Sequence, residues 1–100
     1  MFRLPAPRGA RGSEQTGQRL TVVVQADELL ALSTVLVAPT SRSAPPRSFR
    51  PTIEVGGEST RVLVEQTTAM SPDRLDDSAG WLSARELSDV DAALALVFGL

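Results

Sequence analysis

Apolar residues in the first two thirds of the chain fall into short runs that predict β-strands. Residues 20–25 and 33–38 are rich in β-branched residues, which is typical of buried strands. Residues 49–55 alternate apolar and polar positions, as in a half-buried edge strand, and residues 60–65 return as a fourth strand. The glycine pair at residues 56–57 supplies the positive φ angles of the hairpin turn between these last two strands. The pattern predicts an antiparallel meander.

The segments around these strands contain residues that interrupt pairing. Residues 5–19 are rich in Gly, Pro and polar residues and predict a loop, which leaves only residues 1–4 for an abbreviated earlier strand. Residues 27–32 predict a single helical turn or a loop. We expect Pro39 to end the second strand and residues 40–48 to form an exposed loop, because two prolines in that segment prevent continuous pairing.

The last third of the chain changes to a helical period. Residues 71–75 predict a short helix that begins with a serine N-cap and a proline. Ser83 and Glu86 form a capping box, which predicts a helix over residues 84–97, and Gly99 offers a stop after it. The apolar stripe of this helix consists of Leu87, Val90, Leu94 and Val97.

These elements predict an α+β fold. A sheet of this length, followed by a packing helix, is expected to curl into a small barrel or half-barrel that hides its edges. The chain has 100 residues, which predicts a single domain, residues 1–100, with a thin core that dimerisation would supplement. No run approaches the ~20 apolar residues of a membrane span, and the first residues do not resemble a secretory signal. We therefore expect a cytoplasmic protein.

The amino-acid inventory excludes several kinds of catalytic site. The chain contains no His, Cys or Tyr, which excludes a Ser-His-Asp triad, a cysteine nucleophile, a His-pair ribonuclease and a zinc site of Cys and His. A carboxylate site for Mg²⁺ stays open. All ten basic residues are Arg, whose planar and permanently charged guanidinium suits phosphate.

Charge is distributed unevenly along the chain, although the net charge is only −2. Residues 1–50 hold seven Arg and three acidic residues, a net of +4, whereas residues 51–100 hold three Arg and nine acidic residues, a net of −6. This asymmetry fits a face that binds a polyanion. Alternatively, the two halves interleave in the fold and their fields cancel.

Strand pairing alone brings polar residues to one rim of the sheet. If the first two predicted strands pair antiparallel, the start of the first lies beside the end of the second, so Arg19 and Thr40 are neighbours. The same meander runs the fourth strand parallel to the second, which would place Gln66 at this rim. The loop that contains Glu14 also begins there. An arginine, a hydroxyl, an amide and a carboxylate are thus predicted to converge.

Four blocks of sequence form an ordered set around these residues. Residues 12–19, GSEQTGQR, precede a valine-rich strand, and residues 37–41, VAPTS, end a strand in a Thr-Ser pair. Residues 64–67, VEQT, are followed by Arg-Leu at 74–75 and by the capped final helix. Together the blocks resemble the signature of the MazF/PemK toxin family over about residues 9–100.

The resemblance implies a fold, an activity and partners. The fold is an SH3-like antiparallel β-barrel with a C-terminal helix, which works as a homodimer and holds single-stranded RNA across the dimer groove. The activity is that of a type II toxin, a sequence-specific endoribonuclease that cleaves mRNA through the RNA's own 2′-OH without a metal or other cofactor. The partner is a cognate antitoxin, whose acidic, disordered tail occupies the RNA groove.

Roles for individual residues follow from the same resemblance. Arg19 corresponds to the catalytic arginine and Thr40 to the hydroxyl that assists it. Because a guanidinium with a pKa above ~12 does not readily lose a proton, we interpret Arg19 as a stabiliser of the pentacovalent phosphorane, with Thr40 as a neutral donor. Glu14 is the candidate to accept the 2′-OH proton. The candidate RNA-binding residues are Gly12, Ser13, Gln15, Ser41, Arg42 and Gln66.

The sequence is compatible with alternative interpretations of the loop arginines and of the function. Arg42, Arg47 and Arg50 either grip RNA phosphates or belong to a solvated loop. Family members begin with a longer first strand and have Pro after the catalytic Arg, where this chain has Leu20. The alternative function is therefore a non-catalytic binding protein on the same fold. It would be a gyrase-poisoning toxin of the CcdB type, or a decayed toxin that only dimerises and binds antitoxin.

Overall fold

The computed structural model of the chain describes residues 3–7, 20–25 and 33–100. The remainder of the predicted loop, residues 8–19, and the predicted turn or loop at 27–32 lie outside the described residues. The strands, in chain order, are β1 (Arg3–Pro7), β2 (Thr21–Val23), β3 (Val35–Ser41), β4 (Thr52–Val55), β5 (Glu58–Val62), β6 (Thr68–Met70) and β7 (Leu75–Trp81). Single-turn 3-10 helices span Val64–Gln66 and Pro72–Arg74, and the helix α1 spans Ala84–Phe98.

β3 is the central strand of a curled antiparallel sheet. On one edge it pairs with β2. On the other edge its residues 35–37 pair with β6 and its residues 40–41 pair with β5. β4 pairs only with β5 among the described strands, which gives the strand order β2-β3-β5-β4. β1 and β7 form a separate antiparallel pair. The predicted half-barrel followed by one C-terminal helix is confirmed.

The valine-rich strand β2 is buried on both of its faces. Val22 and Val23 are consecutive and therefore point to opposite sides of the sheet, yet neither is more than 2% exposed. Val22 belongs to the core beneath α1, which also contains Ala38, Ile53, Val62, Val64, Leu82, Val90 and Ala93. Val23 belongs to a smaller core on the other face with Val35 and Val37, against which Met70 and Leu75 pack. Burial on two faces explains why the strand is a continuous apolar run rather than an alternating one.

The hairpin and the final helix form as their sequences predict. Gly56 and Gly57 have φ angles of 60° and 85° between the paired residues Val55 and Glu58, as a two-residue turn of this kind requires. α1 begins with the complete capping box and ends where Gly99 adopts the left-handed conformation with φ of 71°. The predicted serine cap before the 3-10 helix Pro72–Arg74 is also confirmed.

One prediction near the N-terminus was wrong, and one strand in the last third was missed. Residues 5–7 were expected in a loop, but β1 runs through Pro5 and Pro7 and pairs with β7, a strand that the sequence pattern did not indicate. The register of this pair shifts on both sides of Pro5. Proline is tolerated at such irregular positions because regular ladder hydrogen bonds are not required of it there.

The end of β3 also differs from the expectation. β3 continues through Pro39 to Ser41, so Thr40 lies in a strand rather than in a loop. On the edge of β3 that faces β5 and β6, the segment opposite Pro39 leaves the sheet and forms the 3-10 helix Val64–Gln66. A proline is acceptable at that break, because no ladder hydrogen bond is required of it there. The Pro39 carbonyl still accepts a hydrogen bond from the Leu63 N–H at 2.8 Å.

The direction of the fourth predicted strand was wrong. β5 ends at Val62 and runs antiparallel to β3, whereas a simple meander would make the two parallel. Residues 42–51 carry the chain past the position next to β3. The second strand of the β4–β5 hairpin, and not the first, therefore pairs with β3.

Candidate functional site

Thr40 is held at the end of β3 by a bond to the strand next to it. Its side chain is 7% exposed, and its Oγ1 donates to the Leu20 carbonyl at 2.9 Å. Thr21 makes the reciprocal bond, since its Oγ1 donates to the Ala38 carbonyl at 2.9 Å. The predicted neighbourhood between the start of the first strand and the end of the second is confirmed as far as Leu20.

Arg19 immediately precedes Leu20 in the chain but lies outside the described residues. Its place beside Thr40 therefore stays a prediction, which the Thr40–Leu20 bond supports. The other predicted site residues of the preceding loop are likewise outside the described part: Gly12, Ser13, Glu14 and Gln15.

The hydroxyl of Thr40 is already committed as a donor in this conformation. Because a hydroxyl has one proton, donation to the Leu20 carbonyl leaves only lone pairs for other partners. Donation to a phosphate oxygen would require the hydroxyl to exchange the carbonyl for that oxygen. In this conformation, Thr40 instead fixes the backbone of Leu20, the residue that follows Arg19.

Ser41 organises the start of the loop that follows β3. Its Oγ accepts hydrogen bonds from the N–H groups of Ser43 at 3.2 Å and Ala44 at 3.0 Å. This is the turn chemistry for which serine is suited. The loop of residues 42–51 therefore leaves the sheet in a defined direction directly beside Thr40.

Arg50 holds the same loop against the 3-10 helix. Its Nε and Nη2 donate to one carboxylate oxygen of Glu65 at 3.0 and 2.6 Å, and its Nη1 donates to the Pro45 carbonyl at 3.1 Å. The hydrogen bond from Arg50 lowers the pKa of the Glu65 carboxyl below its ordinary value of 4.5, against the opposing effect of burial. The Arg50 side chain is only 17% exposed. Arg50 thus has a structural partner, unlike a residue of a merely solvated loop.

The other two arginines of the loop are accessible. Arg42 forms an ion pair with Glu58, and its side chain is 67% exposed. Arg47 is exposed, and its Nη1 donates to the Pro46 carbonyl at 2.8 Å. Of the three loop arginines, these two are the ones available to a phosphate.

Gln66 reaches the neighbourhood of β3 by a route other than the predicted one. It ends the 3-10 helix Val64–Gln66. The residue before this helix, Leu63, donates its N–H to the Pro39 carbonyl and accepts the Gln66 N–H at its own carbonyl, at 2.9 Å. It is exposed and lies on the β5 side of β3, whereas Leu20 lies on the β2 side. The structure thus places Gln66 and Leu20 on opposite edges of the same strand.

Arg61 was not among the predicted site residues, although it lies next to several of them. It pairs with Ser41 across β3 and β5, and its Nε donates to the Ala44 carbonyl at 3.0 Å. A pocket of about 90 Å³ beside it is lined by Arg42, Thr52, Ser59, Thr60 and Arg61. The sequence places Arg61 at an outward position of a strand, but only the register of β5 with β3 shows that it faces this region.

A larger pocket of about 450 Å³ lies between β4 and the start of α1. Its lining residues are Thr52, Glu54, Ser83, Arg85, Glu86 and Asp89, so that three of its four charged residues are acidic. Such a lining disfavours a polyanion. Among the described residues, no group of three or more His, Cys, Asp or Glu is arranged to hold a metal ion. No helix in the described part of the chain is long and apolar enough to cross a membrane.

Comparison with known proteins agrees with this architecture. The sequence profile described as PemK-like, MazF-like toxin of type II toxin-antitoxin system matches residues 3–98. A Mycobacterium tuberculosis protein named as a toxin is 36% identical over 101 residues, which covers 100% of this chain and 94% of that protein. The chain therefore belongs to the PemK-like, MazF-like toxins of type II toxin–antitoxin systems.

Solved structures share the fold at low sequence identity. The Mycobacterium tuberculosis toxin MazF-mt6 superposes with a TM-score of 0.80 at 15% identity, covering 98% of this chain and 97% of that chain. An endoribonuclease in complex with its cognate antitoxin, from a mycobacterial species, gives 0.81 at 13% identity, with 98% and 92% covered. MazF in a MazE-MazF crystal structure from Deinococcus radiodurans gives 0.76 at 19% identity, with 98% and 92% covered. The half-barrel with its C-terminal helix is thus the fold of these toxins.

Proposed function

We propose that this toxin is a metal-independent endoribonuclease that cleaves single-stranded mRNA in the cytoplasm at a specific sequence. The observation that carries the proposal is the bond from Thr40 to the Leu20 carbonyl, which fixes the residue after Arg19 at the rim where Ser41, Arg42 and Arg61 lie. Family membership supports the activity, and the lack of His and Cys limits the chemistry to arginine, hydroxyl and carboxylate groups.

The reaction needs no nucleophile from the protein. The 2′-oxygen of the RNA attacks the adjacent phosphorus, and the bond to the 5′-oxygen breaks. The leaving 5′-oxygen takes a proton from solvent, and the proton removed from the 2′-OH returns to solvent, so that the products carry a 2′,3′-cyclic phosphate and a 5′-OH. Glu14 accepts the 2′-OH proton, and Arg19 stabilises the negative charge that develops on the phosphorane. Thr40 keeps the backbone at Leu20 in place, and its hydroxyl assists directly when it exchanges the carbonyl for a phosphate oxygen.

We further propose the family's assembly for this chain. A homodimer would form the groove for RNA, with Gly12, Ser13, Gln15, Ser41, Arg42 and Gln66 as its contacts. A cognate antitoxin with an acidic, disordered tail would occupy that groove and compete with RNA for the arginines. Similar structures that contain an antitoxin support this partner.

The decisive experiment measures cleavage of a long single-stranded RNA in EDTA. The wild-type chain should cut it and leave 5′-OH ends, whereas Arg19→Ala should be slower by about 10²–10³-fold. Arg85→Ala, on α1, is the control and should cleave at the wild-type rate. If the wild type does not cut, or if Arg19→Ala cuts equally well, the proposed mechanism is wrong. An antitoxin-binding chain that never cleaves would favour the non-catalytic alternative. Mapped ends would reveal the recognition sequence.

A further inference from the structure

The small pocket beside the β4–β5 hairpin contains two guanidinium groups. Arg61 lies opposite Thr52 in the β4–β5 pair and opposite Ser41 in the β3–β5 pair. Arg42 follows Ser41 directly and reaches the same pocket of about 90 Å³. The pocket is therefore one strand away from the end of β3 that holds Thr40.

Arg61 is fixed in position while part of its hydrogen-bonding capacity remains available. Its Nε donates to the Ala44 carbonyl at 3.0 Å, and its Nη1 donates to the Thr52 Oγ1 at 3.1 Å. A guanidinium has five N–H donors, so most of the fork has no partner among the described residues. Because Thr52 accepts from Arg61, the Thr52 hydroxyl proton is free to point toward an acceptor. The pocket thus presents oriented donors to an anion.

Arg42 is the exchangeable member of the pair. Its partner Glu58 has a side chain that is 58% exposed, and an exposed ion pair of this kind is weak. A ligand with a stronger fixed negative charge can replace the Glu58 carboxylate. Glu58 also opposes such a ligand by repulsion, so its removal should favour binding.

We propose that this pocket, lined by Arg42, Thr52, Ser59 and Arg61, binds a backbone phosphate of the RNA next to the scissile one. The inference rests on the proposed function, because the phosphate belongs to the RNA substrate. Arg61 supplies preorganised donors, Arg42 supplies a mobile charge, and the hydroxyls of Thr52 and Ser59 complete the site. The pocket adds Arg61 to the RNA-binding residues.

The test uses RNA of the mapped cleavage sequence with a 2′-deoxy nucleotide at the cut, so that it binds without being cleaved. Its affinity is measured by fluorescence anisotropy over a series of salt concentrations. Arg42→Gln and Arg61→Gln should each weaken binding by about tenfold and lower the salt slope by about 0.7. The double variant should lower the slope by no more than that, because both arginines bind one phosphate. Arg85→Gln, in the neighbouring acidic pocket, should leave the affinity unchanged.

Two further measurements identify the phosphate and guard against misfolding. Methylphosphonates placed at one linkage at a time remove single charges, and one position should weaken wild-type binding yet add nothing in the double variant. Glu58→Gln should tighten binding about threefold, whereas Asp91→Asn on α1 should not. Thermal denaturation of each variant shows whether it is folded, and the exposed Arg42 and Glu58 are changed without loss of a buried contact.

The outcomes separate this inference from the proposed function. If the wild type binds and cleaves RNA while the Arg42 and Glu58 variants bind like the wild type, the phosphate site is wrong and the ribonuclease stands. The same conclusion follows if every methylphosphonate acts equally on the wild type and the double variant. If the wild type neither binds nor cleaves RNA, both proposals fail.

Discussion

Two regions meet at β4 and organise their backbone with charges of opposite sign. At the start of α1, the Glu86 carboxylate accepts hydrogen bonds from the N–H groups of Ser83 and Glu54, each at 2.9 Å. The first of these bonds completes the capping box, and the second satisfies an N–H on a strand with no second partner strand among those described. A single carboxylate thus joins the helix to the edge of the sheet.

On the other side of β4, guanidinium groups serve the loop of residues 42–51. Arg50 donates to the Pro45 carbonyl, and Arg61 donates to the Ala44 carbonyl, so adjacent carbonyls of the loop are both satisfied. These bonds hold an irregular segment that has no ladder of its own. They also bring guanidinium groups to the end of β3.

The two regions differ in the hydrogen-bonding groups that remain available to a ligand once the backbone contacts are made. Each oxygen of Glu86 already accepts a backbone N–H, so its capacity serves the fold. Arg61 keeps N–H groups that have no described partner, and Arg42 is tied only to an exposed carboxylate. We infer that substitutions near α1 change stability alone, whereas substitutions at the loop end change RNA cleavage.

Apart from Arg19, the largest effect is expected at Thr40. Thr40→Val keeps the shape of the side chain but removes the bond to the Leu20 carbonyl. We expect cleavage to fall by about 10²-fold, because the proposed function needs the backbone at Leu20 to be held next to the catalytic arginine. The free energy of unfolding should decrease by only about 1 kcal/mol, the net value of one hydrogen bond. Cleavage rates and urea denaturation measure the two quantities. Thr40→Ser retains the hydroxyl and should recover most of the rate; equal losses in both variants would contradict the assigned role.

Arg50 should affect stability and RNA affinity together. Arg50→Met removes three hydrogen bonds from a side chain that is 17% exposed, and we expect a loss of about 2 kcal/mol in the free energy of unfolding. RNA affinity should fall severalfold because the loop that carries Arg42 loses an anchor. Chemical denaturation and RNA binding test this prediction, with Arg47→Met as the matched exposed control. A variant of Arg50 with wild-type stability would show that the loop is held by other contacts.

The sequence predicted those elements whose signals are local. The hairpin glycines, the capping box and the helix stop each occupy a few consecutive residues, and each formed as expected. The apolar runs of β2 and β3 also indicated strands correctly. Burial on two faces explains the continuous run of β2, whereas in β3 Leu36 is 43% exposed between the buried Val35 and Val37. Antiparallel pairing of these two strands then predicted Thr40 beside the start of β2, and the bond to Leu20 agrees with that placement.

The errors arose where long-range pairing decides the structure. Proline normally argues against a strand, but Pro5 and Pro39 occupy positions where the ladder is irregular, and only the partner strand shows this. The order β3-β5-β4 depends on the path of residues 42–51, which no periodicity records. Arg61 was missed for the same reason, since its approach to Ser41 is a property of register.

At the α1 region, a smaller effect confined to stability is expected. Glu86→Gln weakens the charge-assisted bonds to Ser83 and Glu54, and we expect the free energy of unfolding to fall by about 1 kcal/mol. The cleavage rate should match that of the wild type at a temperature where both are folded. Asp91→Asn, which changes the same charge on the same helix, is the control for a general electrostatic effect. A reduced cleavage rate in Glu86→Gln would remove the distinction between the two regions.

The smallest effect is a dependence of stability on pH in the acid range, to which both regions contribute. The hydrogen bond from Arg50 lowers the pKa of the Glu65 carboxyl below 4.5. Burial raises the pKa of the Glu86 carboxyl, but the hydrogen bonds from Ser83 and Glu54 outweigh burial, so this pKa also lies below 4.5. A carboxyl with a lowered folded-state pKa stabilises the protein fully above its unfolded-state value and loses that contribution as the pH falls through the folded-state value. The melting temperature should therefore decrease as the pH is lowered below about 4.5, and this decrease should be less steep in Glu65→Gln and in Glu86→Gln. Since the two carboxyls lie in separate networks, the double variant should lose the sum of the two single contributions; a double variant that differs from this sum would show that the regions are coupled through β4.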